Sequence, residues 1–316
     1  MPTVKNIPTV DLSDSTSRGA AARSRLIETV GGGLCELGFL NVEGHGIDPA
    51  LIRETYALWQ GFFALPEKVK RRYAGVEGGA RGYTPFGVEH AKDHPLPDLK
   101  EFWHVGQEPP AGHPYLQEYP ANVWPAEIPE IQEPTLRLYR GLERIAEDLL
   151  RALAEYFDLP RETFASMMTV GNSILRVLHY PPVQPEQAPA VRAAAHEDIN
   201  LITLLCEATD SGLEILTREG DWLPVEAGPG QIVVDAGDML SRFTNEVVPA
   251  TTHRVVNPAA SAARDRYSMP FFVHPYSGCD LTIPERFVTP DRPPKHPPIT
   301  AGQFLEQRLR EIGLKA

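Results

Sequence analysis

The sequence contains few cysteines, no long apolar run and no large cluster of basic residues. Its three cysteines, Cys35, Cys206 and Cys279, are scattered and odd in number. This pattern argues against a disulfide framework or a cysteine-based zinc site, and it predicts a reducing, cytoplasmic location. No apolar run approaches the ~18 residues that a membrane span requires, and residues 1–8 lack the apolar core of a signal peptide. A net charge of −12 argues against nucleic acid as a partner.

Apolar residues recur with two different periods along the chain. In the first half they recur at helical spacing, as at Leu26, Val30 and Leu34, and again over residues 129–157, where a long helix is predicted. From Ser173 onward the period changes to two, which is typical of half-buried strands. Turn signals separate the predicted strands, which cover residues 173–180, 199–206, 213–217, 231–235, 239–244, 251–256 and 266–275, and a last helix follows over 300–312. Short, evenly spaced strands of this kind indicate a jelly-roll sandwich.

Two polar residues precede one of these apolar strands. His196 and Asp198 are two residues apart, and in an extended segment such residues point the same way. Both side chains could therefore bind one metal ion from one side. His253, in the strand-like segment 251–256, supplies a second imidazole. Two histidines and one carboxylate leave open positions on a metal, and this set is typical of non-haem Fe(II) oxygenases.

Two further residues follow in the order that one enzyme family shows. Arg266 and Ser268 have the same parity on the last predicted strand, so both side chains can face the interior. With His-x-Asp, a distal His and Arg-x-Ser in this order and spacing, the chain resembles the isopenicillin N synthase-like branch of the Fe(II)/2-oxoglutarate oxygenases. Residues 38–47 and 62–68 resemble the N-terminal region of that family, so the resemblance covers nearly the whole chain.

The resemblance implies a mainly β fold with added helices, built on a double-stranded β-helix (jelly-roll) core. We expect an N-terminal dioxygenase region with substrate-side loops over residues 1–128 and supporting helices over 129–170. The Fe(II)/2-oxoglutarate core is expected over 171–280, and a C-terminal extension with a helix over 281–316. Together these segments are expected to form one compact catalytic unit.

The resemblance also implies a role for each site residue. His196, Asp198 and His253 are expected to be the Fe(II) ligands and the catalytic residues, with 2-oxoglutarate as co-substrate and dioxygen as oxidant. Arg266 and Ser268 are expected to bind the distal carboxylate of 2-oxoglutarate, because a guanidinium fork can hold a carboxylate through two hydrogen bonds. The implied reaction hydroxylates, desaturates or cyclises a small molecule and releases succinate and carbon dioxide.

The end of strand 173–180 combines a match with two departures from the family. Plant-like members have a tyrosine at the position of Tyr180 that helps to hold the co-substrate, and the resemblance implies that role here. A structural tyrosine packed before two prolines is the alternative. Those members often have Asn at the position of Leu178 and Tyr at the position of His179. The resemblance therefore does not define the co-substrate geometry at these positions, and the parity of His179 predicts a non-ligand role.

Three aromatic residues are candidates for the wall of the substrate pocket. Residues 75–128 form a long segment rich in Gly, Pro and His, and such segments are often functional loops. Within it, the segments around Tyr83 and Trp103 resemble the substrate-side segments of the family, although plain packing explains both residues equally well. Phe272 shares the strand parity of Arg266 and is the third candidate.

Three other functions are compatible with parts of this pattern. A 2-oxoglutarate-independent Fe(II) oxidase, like isopenicillin N synthase, would keep every motif and use the arginine for another carboxylate. A non-catalytic jelly-roll protein could bind a metal or a small molecule, although it would not need open metal positions. A zinc hydrolase could use two histidines and a carboxylate, but no general base lies in the neighbouring sequence. The prime substrate, the type of oxidation and the oligomeric state are not defined by the sequence.

Overall fold

Thirteen β-strands and seven α-helices make up the regular structure in a computed structural model, which describes residues 7–13, 19–76, 80–88, 99–182, 192–209, 212–225, 227–256 and 263–311. The strands are β1 (Thr9–Asp11), β2 (Phe39–Glu43), β3 (Gly82–Thr84), β4 (Glu101–Gly106), β5 (Ile174–Tyr180), β6 (Ala193–His196), β7 (Ile202–Cys206), β8 (Leu213–Leu216), β9 (Trp222–Pro224), β10 (Ile232–Ala236), β11 (His253–Val255), β12 (Arg266–Ser268) and β13 (Pro270–Val273). The helices are α1 (Ala20–Leu37), α2 (Pro49–Phe63), α3 (Glu67–Lys70), α4 (Gln132–Tyr156), α5 (Ala165–Met168), α6 (Asp238–Phe243) and α7 (Ala301–Glu311). Within these ranges, no helix combines the length and the apolar character needed to span a membrane.

The strands form two sheets that enclose one cavity. The larger sheet has the order β1-β2-β10-β7-β13-β5-β4-β3, and β12 also pairs with β5. The smaller sheet has the order β6-β11-β8-β9. Side chains from both sheets line the same cavity, among them Leu205 of β7 and Val255 of β11. This arrangement confirms the double-stranded β-helix that the sequence predicts.

The long helix α4 supports the larger sheet on the side away from the cavity. Its buried residues include Leu142, Leu149 and Leu153 at helical spacing, and the helix packs against β7 and β13 as well as α1 and α2. Helix α1 approaches α4 closely because Gly31 faces the ring of Tyr156, where a Cβ atom would lie 2.0 Å from Cγ. The three consecutive glycines of α1 therefore do not break the helix, and one of them permits its packing.

Local signals define the ends of the first two helices. Asp48 caps α2 by accepting a hydrogen bond of 2.8 Å from the backbone N–H of Ala50, and Pro49 occupies the first turn. Helix α1 ends at Gly38, whose φ of 68° lies in the left-handed region. A Cβ atom at Gly38 would lie 2.6 Å from the carbonyl oxygen of Pro249, so both the conformation and the space require glycine there.

The short strands β6 and β9 lie outside the predicted strand ranges, and two longer segments differ from the sequence prediction. Residues 239–244, predicted as a strand, lie in α6 and its C-terminal end, and all five residues from Met239 to Phe243 are buried. Six residues are too few for periodicity to separate a helix from a strand. Residues 75–128, predicted as a long irregular segment, contain β3 and β4, which extend the larger sheet. Strand β4 is buried on both faces, so its sequence has no alternation of polar and apolar residues.

Candidate metal centre

His196, Asp198 and His253 lie close together in the wall of the cavity. Strand β6 ends at His196, and β11 begins at His253, which lies opposite His196 in the register of the smaller sheet. The Nε2 atoms of both histidines lie 3.8 Å from Oδ1 of Asp198. One possible ligand atom from each residue lies within 4.8 Å of the other two. The structure therefore brings the three predicted residues close enough to share one metal ion.

Backbone carbonyl groups orient the two imidazole rings. Nδ1 of His196 lies 2.7 Å from the carbonyl oxygen of Ala194, and Nδ1 of His253 lies 3.2 Å from that of Thr251. Because a carbonyl oxygen only accepts, each Nδ1 carries a proton and each Nε2 keeps its lone pair for the site. Burial, together with the neighbouring His196, lowers the pKa of His253 to about 4. This ring is therefore neutral at pH 7, as a metal ligand must be.

A second buried carboxyl group lies beside Asp198. Thr203 donates a hydrogen bond to Asp198, and Asp235 of β10 lines the same cavity and is 5% exposed. Burial, and then the proximity of Asp198, raises the pKa of Asp235 well above its ordinary value of 3.8. In its protonated form, Asp235 can donate a hydrogen bond to Asp198. Asp235 was not predicted as a site residue, although it is the single acidic residue within the apolar strand β10.

The three predicted co-substrate residues lie together on the cavity wall. Arg266 and Ser268 of β12 are each 2% exposed, and Nη1 of Arg266 lies 3.4 Å from Oγ of Ser268. Tyr180 of β5 is the register partner of Arg266, and the guanidinium carbon lies 5.1 Å from the centroid of the tyrosine ring. All three side chains line the cavity. The arrangement buries a cation beside two hydroxyl-bearing side chains.

Only one of the three predicted pocket residues reaches the cavity. Phe272 lines it, whereas Tyr83 and Trp103 are not among the described residues that do. Trp103 packs instead against Trp59 and Phe62, at ring-centroid distances of 5.3 and 4.8 Å. Tyr83 pairs with Trp103 in the sheet, and both point to the face that the N-terminal helices cover. These contacts favour the packing alternative for both residues.

Two further cations, neither of them predicted as a site residue, line the cavity. Arg176 lies on β5 with the parity of Leu178 and Tyr180, and all three line the cavity. Lys100, just before β4, is 9% exposed and also lines it. The parity of Arg176 could have identified it from the sequence. By contrast, the neighbouring His179 has the opposite parity and is not among the described residues of the cavity wall.

A jelly roll that gathers two histidines and a carboxylate beside a buried arginine has the arrangement of a non-haem Fe(II) oxygenase. Family models agree with this class over both halves of the chain. Residues 7–127 match the N-terminal region of the non-haem dioxygenases in morphine synthesis, and residues 171–275 match the 2OG-Fe(II) oxygenase superfamily.

Similar proteins cover nearly the whole chain. A 2-oxoglutarate-Fe(II) type oxidoreductase of Aspergillus fumigatus is 31% identical, over 96% of this chain and 92% of the relative. The crystal structure of a 2OG-Fe(II) oxygenase family protein from Caulobacter crescentus is 44% identical with a TM-score of 0.88, over 98% of this chain and 100% of that chain. A full-length Neurospora crassa protein in complex with alpha-KG and thymine is 27% identical with a TM-score of 0.86, over 98% of each chain.

The chain belongs to the family of Fe(II)/2-oxoglutarate-dependent dioxygenases, in its isopenicillin N synthase-like branch. It is an oxidoreductase that uses Fe(II), 2-oxoglutarate and dioxygen.

Proposed function

We propose that His196, Asp198 and His253 bind the Fe(II) of this dioxygenase, and that Arg266 with Ser268 binds the distal carboxylate of 2-oxoglutarate. Tyr180 has a supporting role in the co-substrate site. The observation that carries the proposal is the convergence of the three ligand atoms within 4.8 Å of one another, in the cavity that also contains Arg266.

The donor set fits Fe(II), because two neutral imidazole nitrogens and one carboxylate oxygen occupy one side of an ion and leave other positions open. Bound there, Fe(II) supplies the activation of dioxygen that couples conversion of 2-oxoglutarate to succinate and carbon dioxide with oxidation of the substrate. Arg266 provides the charge that the distal carboxylate needs, since an unpaired buried carboxylate costs several kcal/mol. Thr203 and the backbone carbonyl groups hold the ligands in place before the metal binds.

A small molecule is the prime substrate. The cavity lies between two sheets, and Phe272 and Leu178 give its wall an apolar character. The thymine complex of the Neurospora crassa protein supports this size class without assigning thymine to this chain. The relatives named for 2-oxoglutarate favour this co-substrate over the 2-oxoglutarate-independent alternative.

Replacing the single carboxylate ligand tests the metal site. We expect Asp198→Ala to weaken Fe(II) binding by more than about 100-fold, because substitutions outside the ligands themselves already cost 10- to 100-fold. Anaerobic calorimetry with Fe(II) measures the affinity, and succinate release measures turnover. Glu197→Gln is the matched control, because Glu197 lies between the proposed ligands but its carboxylate accepts a hydrogen bond from Thr252. Near-wild-type iron affinity and turnover in Asp198→Ala would refute the assignment.

Comparing succinate with oxygen tests the co-substrate. We expect one succinate for each oxygen molecule consumed during coupled turnover. Oxidation of a substrate at full rate without added 2-oxoglutarate would favour the isopenicillin N synthase-like alternative. Iron binding without any consumption of 2-oxoglutarate would favour a non-catalytic binding protein.

The four predicted segments act as one catalytic unit in a reducing, cytoplasmic location. Strand β4 of the N-terminal segment pairs along its length with β5 of the core, which supports a single unit. Cys35, Cys206 and Cys279 are free thiols, which supports a reducing compartment. Fractionation of cells that express the tagged protein tests the location, and recovery of the protein outside the cytoplasm would contradict it.

A further inference from the structure

A second cavity lies between helix α6, helix α7 and the turn that joins β8 to β9. Its volume is about 530 Å³, which is within the range of about 300–1,000 Å³ that small-molecule pockets have. Its lining includes Ser241 and Arg242 of α6, Phe304 and Arg308 of α7, and Arg218 of the turn. None of these five residues lines the cavity that contains the proposed metal ligands. The second cavity is therefore a separate candidate site.

Arg242 is a buried cation without a counter-charge. It is 9% exposed, its Nη2 donates a hydrogen bond to the carbonyl oxygen of Pro297, and its Nε has no hydrogen-bond partner. Among the residues that the structure describes, no carboxylate forms an ion pair with it. Burial lowers the pKa of Arg242, as expected for a cation that no neighbouring carboxylate compensates. A buried, unpaired charge is costly, so an anion bound beside Arg242 would stabilise this region.

Two of the three carboxylates that line this cavity already have cationic partners. Oδ2 of Asp238 lies 3.1 Å from Nη2 of Arg308. Glu246 forms an ion pair with Lys295. Neither carboxylate therefore compensates the buried arginine of α6.

The remaining charges of the cavity favour an anion of low charge. Arg218 is an exposed second cation whose Nη2 lies 3.1 Å from the carbonyl oxygen of Cys35, and within the described ranges it has no ion pair. Glu197 is the third carboxylate of the lining, and its Oε1 accepts a hydrogen bond of 3.0 Å from the hydroxyl group of Thr252. Two uncompensated arginines and one carboxylate leave a single positive charge. That balance suits a monoanion better than a dianion.

Apolar surface lies beside the buried guanidinium group. The ring centroid of Phe304 is 5.4 Å from the guanidinium carbon of Arg242, and Pro249 and Ala250 line the same cavity. A guanidinium fork can hold a carboxylate through two hydrogen bonds, and the hydroxyl group of Ser241 in the lining is a further donor. The cavity thus combines donors for a carboxylate with surface for an apolar body.

We propose that this second cavity binds a small monocarboxylate, with the carboxylate held by Arg242 and Arg218 and the apolar body against Phe304. The inference goes beyond the proposed function and does not depend on it, because the two cavities share no lining residue. A ligand that contacts α6, α7 and the turn between β8 and β9 binds only the folded protein, so it should also stabilise the fold.

Matched pairs of acids and amides test the inference. The probes are acetate, butyrate and benzoate, each compared with its primary amide, and inorganic phosphate and succinate serve as anions of higher charge. Calorimetry on the full chain measures binding with and without Mn(II) and 2-oxoglutarate, which occupy the proposed iron site. We expect at least one monocarboxylate to bind about 10- to 100-fold more tightly than its amide, the range given by a hydrogen bond to a charged group. The preference should be the same in both conditions, and phosphate and succinate should bind more weakly.

Four variants identify the groups responsible. Arg242→Gln should remove the preference for the acid. Arg218→Gln should weaken acid binding by about two- to fivefold, the range for an exposed ion pair, and Glu197→Gln should strengthen it by a similar factor. Arg292→Gln is the matched control, because Nε of Arg292 also donates to a backbone carbonyl group, that of Phe287 at 3.1 Å, but Arg292 does not line the cavity. This control should bind the acid like the wild-type protein.

Several outcomes would overturn the inference. They are the absence of any preference for an acid, a preference that survives in Arg242→Gln, and a preference that disappears when Mn(II) and 2-oxoglutarate are added. Tighter binding of phosphate or succinate than of every monocarboxylate would refute the ligand class. If Arg242→Gln does not fold, Arg218→Gln and Glu197→Gln decide, because acid affinities that do not change in opposite directions would contradict the assignment. Failure of the wild-type protein to release succinate with Fe(II) would instead refute the proposed function and leave this inference intact.

Discussion

Replacement of Glu101 by glutamine should destabilise the protein strongly, because this buried carboxylate is the centre of an ion cluster. Glu101 is 1% exposed, and its two oxygens lie 2.9 and 2.6 Å from Nζ of Lys70. It also accepts hydrogen bonds from Tyr83 and, at 2.7 Å, from Nδ1 of His179. The other ring nitrogen of His179 lies 2.6 Å from Oδ1 of Asp265. The cluster thus joins the N-terminal segment to β5 and to the residue before Arg266.

The burial of the Lys70–Glu101 pair determines how much stability Glu101→Gln should lose. The side chain of Lys70 is 8% exposed, so Glu101→Gln leaves an ammonium group buried without its counter-charge. Breaking a buried ion pair in this way costs about 3–5 kcal/mol. Glu67→Gln is the matched control, because the side chains of the Arg71–Glu67 pair are 56% and 57% exposed. An exposed pair contributes about 0–1 kcal/mol, so the two variants should differ clearly.

Urea unfolding at pH 7, followed by circular dichroism and tryptophan fluorescence, measures both free energies. If the N-terminal segment and the core form one unit, the two signals should change in one cooperative transition. A loss below about 1 kcal/mol in Glu101→Gln, no larger than the loss expected for an exposed pair such as Glu67, would refute the role of the cluster. Separate transitions for the two segments would refute the single unit.

The effect of Glu101→Gln should also depend on pH. Burial alone would raise the pKa of Glu101, but hydrogen bonds from His179, Lys70 and Tyr83 outweigh burial and lower it below the ordinary value of 4.5. A carboxyl group whose pKa is lower in the folded state stabilises that state above its unfolded pKa. The advantage of the wild-type protein should therefore be complete above about pH 5 and decrease as the pH falls through the folded pKa. An advantage that grows on acidification would contradict this reasoning.

Two other predictions concern the cavity and the packing beside it. Arg266→Ala should raise the concentration of 2-oxoglutarate needed for half-maximal binding by about 100-fold while Fe(II) binding persists, because the distal carboxylate loses its cation. Titration of 2-oxoglutarate into the Mn(II)-loaded protein checks this, and an unchanged affinity would exclude Arg266 as the anchor. Trp103→Ala should lower the free energy of unfolding by about 3–5 kcal/mol, whereas Phe272→Ala should mainly weaken substrate binding. Urea unfolding and substrate titration separate the two, and the reverse pattern would contradict the placement of these side chains.

The sequence predicts the metal centre better than the substrate side, and the reason is local geometry. His196 and Asp198 are two residues apart, so strand parity alone places them on one side of the chain. Arg266 and Ser268 are related in the same way, and the structure buries both in the cavity wall. His253 is 55 residues from Asp198, and only the resemblance to a family connects the two.

The neighbouring sequence does not determine which face of the sheet Trp103 occupies. Strand β4 is buried on both faces, and either face could have belonged to the cavity. The pairing of β4 with β5 decides the matter, because Trp103 is opposite Val177, whereas Phe102 is opposite Leu178, which lines the cavity. This pairing joins strands that are far apart along the chain, so no window of the sequence contains it. Helix α6 was not predicted for a different reason. Its six residues are too few to show a helical period.

Leu178 and His179, the two residues of β5 that depart from the family, lie on different faces of the sheet. His179 stacks on Tyr267 with the ring centroids 4.7 Å apart and is held between Glu101 and Asp265, so it belongs to the buried ion cluster rather than to the cavity. Leu178 lies on the cavity side and contributes to its apolar wall. The first departure therefore bears on how the N-terminal segment is joined to the strand that carries Arg266. The second gives the cavity wall an apolar side chain at a position where plant-like members of the family often have Asn.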